Sequence, residues 1–269
     1  MNPRIMSITL LTTLAAVGCT DGPSDDTLVN ELRVLAIQAE PPEAAPGQDV
    51  ELTVTITDPA DTGAEVLLWH CTDLGTGCLE DGTPHTWTQD LEGDSVGVTA
   101  TVPDALAAFA SDEPVRATLV WALACEPGLC PQIDDPDGWD LSSPTEWLAD
   151  LPMLGVSLAF NAMAISTRDD GLQNPVIERV GDTPIEADPG ELVALDFTVQ
   201  LDIAATVDTL AFGYGTAGGF GTTEYAIGDD GEVTLEWYAP EDSGAATLYV
   251  VVNDGAGGVG VWVDQATVR

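Results

Sequence analysis

Polar and apolar residues alternate with a period of two along much of the chain, the mark of half-buried β-strands. The clearest case is Asp49 to Thr57: Val50, Leu52, Val54 and Ile56 fall on one face, Glu51, Thr53, Thr55 and Thr57 on the other. Leu32 to Ile37 alternates weakly before it. Glu65 to Cys71, Ser95 to Val102, Val115 to Cys125 and Met153 to Ser166 read as further strands. Pro41-Pro42, Pro46-Gly47 and Asp58-Pro59 force bends between them. Ala105 to Phe109 suggests a helical turn, and Pro144 to Asp150 a short helix with Ser143 as its N-cap. The second half opens with Asn174-Pro175-Val176-Ile177, and later strands are expected at Val207 to Phe212, Glu232 to Tyr238, Ala246 to Asn253 and Val259 to Val268. Glu191 to Leu201 reads as Leu192, Ala194 and Asp196 followed by a shifted set, Phe197, Val199 and Leu201, so a bulge is expected near Asp196. Asp254 to Gly258 is a Gly-rich hairpin turn.

The two halves repeat one plan. Each has a Pro-Gly turn (Pro46-Gly47, Pro189-Gly190), a long alternating strand, a short run with a Trp and a Val-rich strand. Strands spaced this way with turn signals indicate an all-β protein of two antiparallel β-sandwich domains. The domains are expected at 31–167 and 174–269, with a polar linker at 168–173. The stretch 126–152 interrupts the first domain with Asp and Pro; a connection of that length inside a compact domain is often functional.

The N-terminus breaks the β pattern. Arg4 precedes a mostly apolar, uncharged run from Ile5 to Val17, which is shorter than the roughly 20 residues that span a bilayer and has the size of a secretory signal. The small residues Ala16-Val17-Gly18 lead into Cys19. This resembles a bacterial lipobox, although Ala16 stands where Leu is commoner. The resemblance implies cleavage of residues 1–18 by signal peptidase II, diacylglycerol on Cys19 and an acidic tether over 19–30. Several acyl chains, at about 0.8 kcal/mol per buried CH₂, hold far more firmly than one. Thr20 after the cysteine, in place of Asp, favours the outer membrane in lipoprotein sorting.

Charge narrows the partners. The chain has 46 Asp and Glu against six Lys and Arg, a formal net charge of −40. Its basic residues beyond Arg4 are Arg33, Arg116, Arg168, Arg179 and Arg269, with no lysine. Such a surface repels phosphate backbones, which argues against nucleic acid as a partner. A hydrophobic content of 45% and seven Trp argue for packed cores.

Beyond Cys19 stand Cys71, Cys78, Cys125 and Cys130. An even count in an exported chain suggests two disulfides, for which three pairings exist. Cys71 and Cys78 bracket a Gly-rich turn, as do Cys125 and Cys130, and these local bridges are preferred.

The run Leu248 to Gly255, continued by Gly257-Gly258-Val259, resembles the final hairpin of PKD-type and other bacterial Ig-like domains, and residues 31–57 resemble the start of the same unit. The whole plan is similar to bacterial lipoproteins with tandem Ig-like repeats. The resemblance implies adhesion, scaffolding or ligand binding and supplies no catalytic residues. It also implies that Cys71 and Cys125 end antiparallel neighbours at opposite poles of a sandwich, beyond the roughly 7 Å Cα reach of a disulfide.

Candidate chemistry is sparse. Gly213 to Gly218 and Gly255 to Gly260 match G-x-G-x-x-G, but a dinucleotide fingerprint needs a helix directly afterwards; both read as turn glycines. His70, Cys71, Cys78 and His85 could form a Cys₂His₂ zinc site, but their spacing is unfamiliar and oxidation favours a disulfide. Asp134, Asp135, Asp137 and Asp140 surround Gly138 with hard oxygen ligands suited to calcium, without the spacing of an EF-hand loop. No cofactor is expected, with calcium at this loop as the alternative. Trp139 and Trp147 offer aromatic platforms for a protein or glycan ligand. With two His and no G-x-S-x-G, nucleophilic catalysis lacks a base beside a nucleophile. The expected function is a lipid-anchored cell-envelope module for binding, adhesion or structure, and not an enzyme. The alternatives are calcium-dependent adhesion or an exported hydrolase using loop carboxylates.

Overall fold

In the computed structural model, which describes residues 23–45, 47–61, 63–70, 83–88, 95–101, 115–127, 156–166, 171–202 and 209–269, the period-two stretches fold as strands. The first sandwich comprises β1 (Arg33–Glu40), β2 (Glu43–Ala44), β3 (Asp49–Thr57), β4 (Glu65–His70), β5 (Thr83–Thr88), β6 (Ser95–Thr101), β7 (Val115–Cys125) and β8 (Val156–Ser166). The second comprises β9 (Val176–Arg179), β10 (Ile185–Ala187), β11 (Leu192–Gln200), β12 (Leu210–Gly215), β13 (Gly219–Phe220), β14 (Glu224–Ala226), β15 (Glu232–Tyr238), β16 (Gly244–Asn253) and β17 (Val259–Val268).

The two sandwiches share one topology. In the first, a sheet of order β1-β3-β6 faces one of order β2-β8-β7-β4-β5. In the second, β13-β15-β11-β9 faces β10-β17-β16-β12-β14. In both, the opening strand is split between the two sheets, and its second piece pairs in parallel with the last strand: β2 with β8, β10 with β17. The remaining described pairings between these strands are antiparallel. This is an Ig-like arrangement, A-B-E against A′-G-F-C-C′, with β13 added beside β15 in the second domain. The repeat seen in the sequence is therefore a repeat of strand order.

Each core follows from the alternation. Val50, Leu52, Val54 and Ile56 of β3 are buried against Val66, Val120, Ala122 and Ala124. In the second sandwich Leu195, Phe197 and Val199 meet Leu235, Trp237, Leu248, Val250 and Val252. Phe197 stacks edge-on against Trp262 at 4.9 Å between centroids.

Several expectations are corrected. No bulge interrupts β11, whose register against β15 is continuous from Leu192↔Tyr238 to Thr198↔Glu232. Its inward set is the odd-numbered one throughout; Leu192 is exposed, and taking it as a core residue created the false shift. The register shift lies instead in β1, between Val34 and Ala36. Gly213 and Gly215 are strand residues of β12 and not turn glycines. A Cβ on Gly213 would stand 2.6 Å from the Phe220 ring, so glycine lets that ring close the core. The helical turn at 105–109 and the helix at 144–150 lie outside the described residues.

Candidate functional site

Cys125 ends β7, is fully buried and is disulfide-bonded. It stands opposite Glu65, the first residue of β4, while the last, His70, stands opposite Val120. Five positions of strand separate those levels, about 17 Å. The strand end that leads into Cys71 is therefore at the other pole, beyond disulfide reach of Cys125. Cys19, Cys71, Cys78, Cys130, Asp134, Asp135, Asp137, Asp140, Trp139 and Trp147 lie outside the described residues. Among the described residues no group of three or more His, Cys, Asp or Glu is placed to hold a metal. No helix among them is long and apolar enough to cross a membrane.

The feature that stands out is the seam between the sandwiches, and it explains two puzzling sequence patterns. β1 alternates weakly because both of its faces are buried. Val34, Ile37 and Ala39 enter the first core, whereas the register shift turns Leu35 and Ala36 toward the second sandwich. There they meet Val29, Tyr249, Val251 and Val259, flanked by Phe212, Tyr214 and Val261. β16 does the same from the other side. Leu248, Val250 and Val252 fill the second core, and Tyr249 and Val251 face the seam. A strand covered on both faces reads as an unbroken apolar run, as Leu248 to Val252 does. Each such side chain contributes about 1.5–3 kcal/mol when fully buried. The seam thus buries Leu35 and Ala36 on β1, one of the two edge strands of its sheet.

Polar clasps fix the seam at one end. Asn174 donates from Nδ2 to the Ala39 carbonyl (2.6 Å) and to Glu40 Oε2 (2.9 Å). Its Oδ1 accepts from the Val259 N–H (2.9 Å), so one amide grips both domains. The buried Glu43 accepts from the Leu172 N–H (3.2 Å), and Gln173 N–H reaches Asp202 (3.2 Å). Beside Asn174, Asp254 holds the β16–β17 turn by accepting from Ala256 N–H (2.7 Å) and Gly258 N–H (2.9 Å). Burial pushes its carboxyl above the usual carboxylate range, against the pull of those N–H groups.

At the other end lies a strap, Pro23 to Val29. These residues fall within the expected tether, yet they are built into the second sandwich. Ser24 N–H donates to the Phe220 carbonyl (2.9 Å) and Val29 N–H to the Gly215 carbonyl (2.9 Å). Leu28 makes a parallel bridge to Gly215. Thr27 Oγ1 accepts from Phe220 N–H (2.8 Å) and lies within donating reach of the Ser24 (2.7 Å) and Phe220 (3.1 Å) carbonyls. A Cβ on Gly219 would come within 2.8 Å of both Pro23 and Thr27, so glycine there makes room for the strap. Arg33 then donates back to the Asp26 carbonyl (2.8 Å). Burial raises the Tyr214 phenol, with Arg33 opposing and Glu224 adding to the rise.

Between clasp and strap is a cleft of about 180 Å³, lined chiefly by Leu35, Ile37, Ala159, Phe212, Tyr214 and Val251. Asn174, Thr27 and the outward residues of β16 were not singled out by sequence reasoning. The unbroken Leu248 to Val252 run was the one available signal.

No protein-family model matches the chain. No curated protein matches it. Among solved structures it is similar to the D0-D1 domain of intimin, at 9% identity and TM-score 0.28, covering 87% of this chain and 98% of that one. A chimeric titin Z1Z2 tandem matches at 13% identity and TM-score 0.26, covering 91% and 97%. The Yersinia pseudotuberculosis adhesin InvE matches at 11% and 0.26, covering 87% of this chain and 58% of its own. The strand order described above carries the assignment: the chain is an all-β protein of two Ig-like sandwiches.

Proposed function

We propose that this chain is a lipid-anchored cell-envelope protein, held through Cys19 in the outer membrane, whose two sandwiches form one rigid module for binding, adhesion or structure. The observation that carries the reading is the joint: strap, seam and clasp tie both sandwiches into one body starting four residues after Cys19. A stiff body directly behind an anchor suits presentation of a fixed surface to a protein or glycan. The reading assigns it no catalytic role. It also pairs Cys125 with Cys130 and Cys71 with Cys78, since the β4–β7 register separates the poles.

Blocking signal peptidase II in cells that express the chain tests the anchor. Accumulation of a precursor still carrying residues 1–18 supports it. Unchanged processing contradicts it.

A further inference from the structure

The strap decides which part of the body lies against the membrane. An N-terminal anchor would ordinarily place the first domain beside the lipid and the second farther away. Here the chain leaves position 19 and docks first on the second sandwich, where Pro23 packs on Gly219 and Ser24 bonds Phe220. Four residues of extended chain span at most about 14 Å. The β12–β13 corner must therefore sit within that distance of Cys19. The opposite pole of the same sandwich, at the Asp229-Asp230 turn, lies a full β15 away, about 20 Å for its seven residues.

The first sandwich is oriented by the same contacts. Arg33 bonds Asp26 in the strap. Val34 N–H donates to Ser157 Oγ (2.9 Å), next to the Val156↔Cys125 pair. Thr57, at the end of β3, pairs with Arg33. The Cys125 pole of the first sandwich thus stands beside the strap, and at its far pole Glu40 meets Asn174.

We propose that the protein's membrane-facing surface is composite: the β12–β13 corner of the second sandwich together with the Cys125–Val156 pole of the first. This rests on the lipid-anchor reading. Both sandwiches stand side by side on the bilayer, and the connection that runs from Cys125 to Val156 is rooted on the membrane side. The partner of this surface is the lipid headgroup layer. With a net charge of −40, the body is held there by its acyl chains and strap and not by attraction to anionic lipid.

The test uses the full processed chain, purified from membranes and reconstituted into vesicles of neutral phospholipid with a headgroup-bound quencher. Single labelled cysteines are placed at exposed positions: Ser243→Cys at the strap end of the second sandwich, Ala60→Cys beyond β3 in the first, and Asp229→Cys at the far pole. Strong quenching at Ser243 and Ala60 with little at Asp229 is expected. Equal quenching at all three, or stronger quenching at Asp229, in a chain that floats with the vesicles overturns the orientation and leaves the anchor standing. A chain that fails to float overturns both. Gly219→Val, which drives a side chain into Pro23 and Thr27, should keep flotation and abolish the difference between the labels. A difference that survives it also overturns the role given to the strap.

Discussion

Thr27 shows how much rests on one hydroxyl. It satisfies the N–H of Phe220, a residue with no solvent exposure, and sits on Gly219 where no side chain fits. Thr27→Ala leaves that N–H buried without its acceptor, and a loss of about 1–3 kcal/mol is expected. Thr27→Ser should recover most of it in a urea titration; equal loss in both variants would mean that the methyl, not the hydroxyl, matters. Asp254 is the second such residue. Its folded carboxyl titrates above its unfolded value of 3.8 because burial disfavours the charge. The unfolded chain therefore releases that proton first. Asp254's contribution is full below the unfolded pKa and is lost as pH rises through the folded one. Asp254→Asn keeps an acceptor for Ala256 and Gly258 and removes the charge. Relative to wild type it should gain stability as pH rises from about 4 toward neutrality. A constant difference across that range would refute the assignment.

At the scale of elements, the strands β3, β7, β15 and β17 coincide with their expected spans because half-burial writes a period of two into the residues. The short pieces β2, β10, β13 and β14 went unforeseen: two or three residues carry no period. β5 was missed as well; Pro84, His85 and Trp87 within six residues do not spell a strand. The doubly buried strands β1 and β16 were legible as strands but not as joints, because an unbroken apolar run says that both faces are covered without naming the cover. The strap was illegible for a further reason. Asp25, Asp26 and Thr27 look like tether residues, and what fixes the segment is the Thr27 hydroxyl on Phe220 and the backbone bonds of Ser24 and Val29, all to positions nearly two hundred residues away. Deleting residues 23–29 should accordingly destabilise the second sandwich more than the first, read by hydrogen exchange at Gly215 to Gly221. Undiminished protection there would show that the strap is dispensable. Of the cysteine, aspartate and tryptophan sites chosen from sequence, Cys125 alone lies among the described residues, and its disulfide and burial mark it as structural.

For the whole molecule, the seam makes two repeats into one unit. Inter-domain contacts within a chain commonly allow relative motion unless they are large and apolar. Here Val29, Leu35, Tyr249, Val251 and Val259 form a third buried cluster between the two domain cores. A single calorimetric transition is expected for the intact chain, and Tyr249→Asp, which buries a charge in the seam, should split it into two. Two transitions in wild type would mean that the domains melt independently. On the proposed reading, an anchor at Cys19 would tie this body down at its docked corner and present its surface at a membrane. Mass spectrometry of the N-terminal peptide, taken from the membrane fraction of cells expressing the chain, tests this most directly. The expected peptide begins at Cys19 and carries diacylglycerol, whereas an unmodified Cys19 or a mature terminus elsewhere would contradict it.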